Sequence, residues 1–209
     1  MPQSSVVFLV DDDASVRKAL TRLMRSAGYT VQAFASARDF LECWRVTAEG
    51  PACLILDVRM PGLSGLDLQR ELQVADAVLP IIFVTGHGNI PMSVKAMKDG
   101  AVDFLPKPVK DQELLKAIEQ ALARADHELG ERQELGDIQR RLETLTPRER
   151  EVMTLVVRGL LNKQIAFELG TVEKTVKVHR ARVMEKMEAR SLAELVHIAE
   201  RVGIPAEKN

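Results

Sequence analysis

Two runs of apolar residues in the first half of the chain end in carboxylates. VVFLV (6–10) runs into Asp11, Asp12 and Asp13, and CLILDV (53–58) carries Asp57. Two like charges about 4 Å apart repel by roughly 4 kcal/mol at an effective dielectric near 20, so carboxylates gathered in one place call for a cation. Mg2+ suits them: it is a hard ion that takes carboxylate, carbonyl and water oxygens and commonly shares its shell with phosphate. Two further apolar runs end in complementary groups, PIIFVTG (80–86) in Thr85 and VDFLP (102–106) just before Lys107 and Pro108. A carboxylate nucleophile, a divalent metal, a hydroxyl and an ammonium form a site for phosphoryl transfer, in which catalysis is mainly positioning and charge neutralisation. Asp57 is the expected acceptor. Three aspartates after a strand also fit a solvated loop, and it is Thr85 and Lys107 that favour the site. Asp13 reads as a helix-start residue rather than a ligand.

The elements that must position these groups alternate. Apolar runs at 6–10, 30–34, 53–58, 80–86 and 102–106 read as five strands. Between them, Val16, Ala19, Leu20, Leu23 and Ala27 keep helical spacing and stop at Gly28, and Ser36 is placed to cap a helix burying Phe40, Leu41 and Trp44. Leu66, Leu68 and Leu72, then Val94, Ala96 and Met97, then Leu114, Leu115, Ile118 and Leu122 supply three more. Five βα units whose strands are apolar on both faces imply a doubly wound parallel sheet with helices on each side, for which the flavodoxin-like order 2-1-3-4-5 is taken. Ligands of such sheets sit beyond the carboxyl ends of the strands where the order reverses, here between strands 1 and 3, and that is where Asp11 and Asp57 fall.

The chain has 209 residues and a net charge of −1, which suits two modest domains. Its composition, 46% hydrophobic and 28% charged, excludes disordered and collagen-like readings. No apolar run approaches a membrane span, and MPQSSVVFLVDDD lacks the pattern of a signal peptide, so a cytoplasmic protein without membrane contact is expected. Cys43 and Cys53 make no CxxC, and the four histidines lack metal-ligand spacing, which argues against disulfide frameworks and zinc. Charge is uneven: residues 1–124 carry −1, residues 125–143 carry −3 and residues 144–209 carry +3. Only the last portion is suited to a polyanion.

Residues 1–124 are therefore expected to form the α/β domain, 125–143 a linker and 144–209 a separate helical domain. Leu122, Ala125 and Leu129, then Leu135, Ile138, Leu142 and Leu145, make the linker a candidate helix, while Gly130 and Gly136 each cost about 1 kcal/mol and allow a bent or flexible connection instead. Beyond it the spacing predicts helices at 147–158, 162–169, 172–187 and 191–202, with Gly159, Gly170 and Gly203 as stops and a capping box from Thr146 to Glu149. Two short helices around Gly170 make a helix-turn-helix. The second holds Lys174, Lys177, Arg180, Arg182, Lys186 and Arg190 against Glu185 and Glu188, with Val176, Val183 and Met187 spaced to face a core. A basic, narrow helix of this kind fits the DNA major groove, although a basic helix is also an ordinary solvated surface.

The motifs VDDD, LDVRMPGLSG, VTGHG and FLPKP, in this order, resemble the receiver domain of bacterial response regulators. The resemblance implies that Asp57 accepts a phosphoryl group from a sensor histidine kinase, and that Asp11, Asp12 and Asp57 hold Mg2+ together with the Arg59 carbonyl. It also implies that Thr85 and Lys107 contact the phosphoryl oxygens. Phe104 occupies an aromatic switch position and, without a hydroxyl, signals only by packing; it also fits a plain core role. Arg59 and His87 flank the site, where they are placed either to control access of hydrolytic water or simply at the surface.

The tail LTPRE…GLLNKQIA…LG…TVKVHR resembles the LuxR/FixJ helix-turn-helix over residues 145–200. That resemblance implies that Lys177 and Val178 face base edges and that Asn162, Lys163, Thr175 and Arg180 touch or approach phosphates. It adds a dimer contact through Leu192, Leu195, Val196 and Ala199, which also suit the core of the helical domain. This chain departs from the family in having Thr171 then Val172 before the reading helix, where an apolar residue then Ser is usual; Thr171 is expected to cap a helix begun one residue early. Ala181, where a relative carries a basic base-reading residue, suits a thymine methyl.

The reading is a transcriptional regulator rather than an enzyme, most simply an activator acting with RNA polymerase on double-stranded promoter DNA, and a homodimer when phosphorylated. One alternative is a Mg-dependent aspartyl-phosphate phosphatase of the haloacid dehalogenase type, in which Asp11 and Asp13 would form the DxD motif. Another makes the tail a protein-dimerisation module without DNA contact.

Overall fold

The computed structural model describes residues 5–47, 50–86 and 90–205. The chain divides into two compact units, Met1–Gly130 and Glu131–Asn209. In the first, β1 (Val6–Val10), β2 (Thr30–Phe34), β3 (Ala52–Leu56), β4 (Ile81–Thr85) and β5 (Asp103–Pro106) form one parallel sheet in the order β2-β1-β3-β4-β5. Helices α1 (Ala14–Ser26), α2 (Ala37–Thr47), α3 (Gly65–Val74), α4 (Ile90–Lys98) and α5 (Asp111–Glu143) connect and follow the strands.

The period-2 alternation of strand side chains splits the core in two. Phe8, Val10, Leu54, Leu56 and Phe83 join Phe40 of α2, Leu68 and Leu72 of α3 and Ala96 of α4. Val7, Leu9, Cys53, Ile55, Ile82 and Val84 join Leu20 and Met24 of α1 and Leu114, Ile118 and Ala121 of α5 on the other face. The central strands β1, β3 and β4 are buried along their whole length, which is why they read as continuous apolar runs, whereas in the edge strand β2 only Val31 is buried. Helix α4 corrects an expectation. Its spacing was apolar, yet Val94 and Met97 are nearly half exposed and only Ala96 is buried, because a short helix at the sheet margin covers little of it.

Helix α5 runs through Gly130 and Gly136 without interruption, and Ile138 and Leu142 near its end belong to the core of the second unit. That unit comprises α6 (Pro147–Val157), α7 (Asn162–Glu168), α8 (Glu173–Lys186) and α9 (Leu192–Arg201). Its core takes Val152, Met153, Val156, Ile165, Val176, Val183, Met187, Leu195 and Ala199, and Leu192 of the expected α9 stripe is exposed. Thr146 and Glu149 form the expected capping box. Glu149 is also buried, and Lys186 of α8 donates to it at 2.7 Å and to the Thr144 carbonyl at 2.9 Å, which locks α8 to the start of α6. Among the described residues no helix is long and apolar enough to cross a membrane.

Trp44, the single tryptophan, stacks on Phe40 with centroids 6.1 Å apart, so its fluorescence reports on the first unit. Phe40→Ala is expected to lower that unit's urea stability by about 3–5 kcal/mol. In the second unit the Lys186 ammonium, with the Thr146 amide, holds the Glu149 carboxyl at about 2, below its ordinary 4.5. A depressed carboxyl contributes its full stability above the unfolded value and loses it as pH falls. Melting of the second unit, followed by circular dichroism, is therefore expected to weaken between pH about 4.5 and about 2. Glu149→Gln removes this pH dependence and costs about 2 kcal/mol at neutral pH.

Candidate functional site

The strand register builds the acidic site. Val10 pairs with Leu56 across β1 and β3, so the residues that follow them, Asp11 and Asp57, emerge side by side. The Asp57 amide donates to the Val10 carbonyl at 2.9 Å. On the other side Thr85 pairs with Pro106, and the Lys107 amide donates to the Thr85 carbonyl at 2.9 Å. From this anchor Lys107 Nζ donates to Asp11 Oδ2 at 2.6 Å and to Asp57 Oδ2 at 2.8 Å. Asp11, Asp57 and Thr85 are buried and Asp12 is exposed. One carboxylate oxygen from each of Asp11, Asp12 and Asp57 lies within 4.8 Å of the others.

Burial pushes the Asp11 carboxyl up; hydrogen bonds from Lys107 and the Asp13 amide pull against it, and the neighbouring Asp57 charge adds to the rise. Burial also opposes the charge on Lys107, but hydrogen bonds to Asp11 and Asp57 outweigh it and hold the ammonium above its ordinary range. Lys107 is thus a firmly charged counter-ion set between two carboxylates.

Backbone groups fix those carboxylates. The Asp13 amide donates to Asp11 Oδ1 at 2.9 Å and the Arg59 amide to Asp57 Oδ1 at 3.3 Å, while Arg17 Nη1 donates to the Asp11 carbonyl at 2.6 Å. Asp13 itself turns away, and its carboxylate caps α1 by accepting from the amides of Ser15 and Val16. The phosphatase alternative needs that carboxylate in the site. The Arg59 side chain is exposed, and His87 lies outside the described residues. Phe104 is half-buried, its ring 5.9 Å from that of Phe83.

Sequence reasoning missed two supports. A Cβ on Gly65, the first residue of α3, would lie 2.2 Å from the Asp57 carbonyl oxygen, so α3 starts this close to the end of β3 only because position 65 has no side chain. The signal was available: a glycine directly after the helix-capping Ser64 is a poor helix former that needs a reason. Arg17 carried no comparable signal, since an arginine on an amphipathic helix is ordinarily solvent-facing.

In the second unit the helix-turn-helix comprises α7, a turn at Gly170 with φ +60°, and α8. The Thr171 amide donates to the Ala166 carbonyl at 2.9 Å, which closes the turn. The expected Thr171 cap is not formed: Val172 holds the N-cap position, no side chain caps α8, and the helix starts at Glu173 rather than earlier. The turn consumes Thr171 before the helix begins. Lys163, Lys177, Val178, Ala181 and Arg182 are exposed, while Asn162, Thr175 and Arg180 are half-buried. Arg180 Nη1 donates to Asn162 Oδ1 at 3.2 Å, joining α8 to the start of α7, and Lys177 Nζ pairs with Glu173 at 3.1 Å.

Comparisons with known proteins agree with this division. Residues 7–119 match the response regulator receiver domain family, and residues 143–199 match the luxR family of bacterial regulatory proteins. Nodulation protein W of Bradyrhizobium diazoefficiens is 52% identical over 202 residues, covering 97% of this chain and 88% of that protein. Transcriptional regulatory protein FixJ of Azorhizobium caulinodans is 42% identical over 208 residues, covering 99% of this chain and 98% of FixJ. The solved structure of the response regulator StyR is 49% identical, with a TM-score of 0.85 over 95% of this chain and 99% of StyR. With a receiver fold whose carboxylates converge on a lysine, and a basic helix-turn-helix behind it, the chain belongs to the two-component response regulators of the FixJ type and is a phosphorylation-controlled, DNA-binding regulator of transcription.

Proposed function

We propose that Asp57 is the phosphoacceptor and that its phosphorylation, by a phosphohistidine of a sensor kinase, governs promoter binding by α8. The observation that carries this reading is the Lys107 ammonium shared between the Asp11 and Asp57 carboxylates at 2.6 and 2.8 Å. An Asp57 carboxylate oxygen attacks phosphorus, the phosphorus–nitrogen bond to the kinase imidazole breaks, and the freed imidazole leaves with its electron pair. The product is an acyl phosphate on Asp57. Thr85 and Lys107 end β4 and follow β5 where the new phosphoryl oxygens would lie, one as a hydroxyl donor and the other as a cation.

The carboxylates of Asp11, Asp12 and Asp57 fit Mg2+. They are hard oxygen donors, and their spread within 4.8 Å matches the roughly 3–4 Å separations of oxygens in an octahedral shell. The Arg59 carbonyl is a further ligand in this reading. When bound, the ion neutralises charge that builds on the transferred group. Asp11 and Asp12 hold it, and Lys107 keeps Asp57 oriented.

In the same reading residues 1–124 are the receiver, 125–143 a connecting helix and 144–209 the DNA-binding domain. Thr85 draws toward the phosphoryl group, Phe104 turns inward against Phe83, and the altered face made by α4 and β5 promotes a homodimer. Lys177 and Val178 face base edges, while Asn162, Lys163, Thr175 and Arg180 approach phosphates. The output is activation through RNA polymerase in the cytoplasm. A dimer would set two reading helices about 34–36 Å apart on a two-fold symmetric operator.

Acetyl phosphate with Mg2+ is expected to add a single adduct of about 80 Da by intact mass, absent in Asp57→Asn. Gly65→Ala, which pushes a methyl into the Asp57 backbone, is expected to slow labelling by about a hundredfold. Label that survives in Asp57→Asn overturns the assignment. For DNA, Lys177→Ala is expected to weaken binding at every salt concentration; an unchanged affinity across a salt series would instead support a tail that contacts only protein.

A further inference from the structure

The exposed face of α8 carries a pair of opposite charges. Glu173, the first residue of the helix, and Lys177, one turn later, are bonded at 3.1 Å, and their side chains are 48% and 64% exposed. An acidic residue at this position is stabilising for an isolated helix, because it complements the positive N-terminal end of the dipole and stands N-terminal to its lysine partner. On a helix that meets a polyanion it has a cost. A carboxylate there is repelled by phosphates and holds Lys177, the lysine proposed above to face base edges. An exposed ion pair of this kind adds little to stability, so its consequence falls on recognition.

We infer that Glu173 and Lys177 act as one reading unit for a G·C base pair in the major groove, with Glu173 as the selectivity-determining residue. The inference rests on the reading of α8 as the base-contacting helix. In the groove a G·C pair offers two adjacent acceptors on guanine and then a donor, the cytosine amino group. The ammonium of Lys177 takes the acceptors and the carboxylate of Glu173 takes the donor, so each charge released from its partner meets its complement. In an A·T pair the donor lies between two acceptors, and a carboxylate brought to it faces acceptor oxygen or nitrogen on either side. The reach is suitable: four residues of helix rise about 6 Å, less than two base-pair steps. A plain surface ion pair would alter affinity for all sequences alike, whereas this unit alters the choice of base.

The test is selection of bound duplexes from a randomised pool by the full-length protein with acetyl phosphate and Mg2+, followed by sequencing. The wild-type pool is expected to fix a G·C pair at one position in each half-site. In Glu173→Gln, whose amide can pair bidentately with adenine, the G·C over A·T preference at that position is expected to fall at least about fivefold, while other positions keep theirs. A wild-type pool with no fixed G·C pair overturns the inference, and so does a Glu173→Gln pool with the wild-type base at every position. Lys177→Ala separates the two levels. If it selects the wild-type sequences with undiminished enrichment, the reading of α8 itself fails; if it loses selection while Glu173→Gln selects as wild type, only the role of Glu173 fails.

Discussion

One electrostatic constraint organises the first half of this protein. The parallel register of β1 and β3 forces Asp11 and Asp57 together at the carboxyl edge of the sheet, and burial raises the cost of their shared charge. The Lys107 ammonium, carried in by β5 and anchored on Thr85, offsets that cost. Breaking a buried pair by removing one partner strands the other charge, and the backbone bond to Thr85 directly after β5 keeps this counter-ion in place. The same geometry leaves oxygens of Asp11, Asp12 and Asp57 clustered within 4.8 Å of one another, the donor set that the proposed cation would use.

The rest of the receiver serves to hold that edge still. Both faces of the sheet are covered, the three inner strands are wholly buried, and α3 begins so near Asp57 that only glycine fits at position 65. In the second unit a different ion pair has a comparable function. Glu149 satisfies the start of α6 and at the same time accepts from Lys186 at the end of α8, so α8 is fixed at that end, while Glu173, Lys174, Lys177 and Val178 near its start are exposed. Arg180 and Asn162 tie the middle of α8 to α7. Helix α8 is thus tied to both α6 and α7, with Lys177 held by a local partner rather than by the core.

Much of this was legible in the sequence because the signals were of the kind that a parallel sheet imposes. Strands buried on both faces read as apolar runs, and the residues at or just past their ends, Asp11, Asp57, Thr85 and Lys107, could be assigned to one edge from topology alone. The helix stops at Gly28, Gly159, Gly170 and Gly203 all carry positive φ. What was not legible depends on distance between segments far apart in the chain. The close approach of Gly65 to Asp57, the Arg17 contact with the Asp11 carbonyl and the Lys186–Glu149 lock have no periodic signature. The exposure of Val94 and Met97 was missed for the opposite reason: their spacing matched a buried face, but α4 is too short and too near the margin to bury it. The absence of a Thr171 cap shows a local preference overridden by a turn that uses the same residue's backbone.

In the proposed function the chemical state of the Asp57 site is coupled to the grip of α8 on DNA. Titrating a promoter fragment selected by the protein, with and without beryllofluoride and Mg2+ as a non-covalent stand-in for the phosphoryl group, measures this coupling from one side; titrating beryllofluoride with and without the fragment measures it from the other. Coupling is reciprocal, so the account predicts that each ligand tightens the other by the same factor, of order 5–150-fold. Two affinities that do not respond to each other would contradict it.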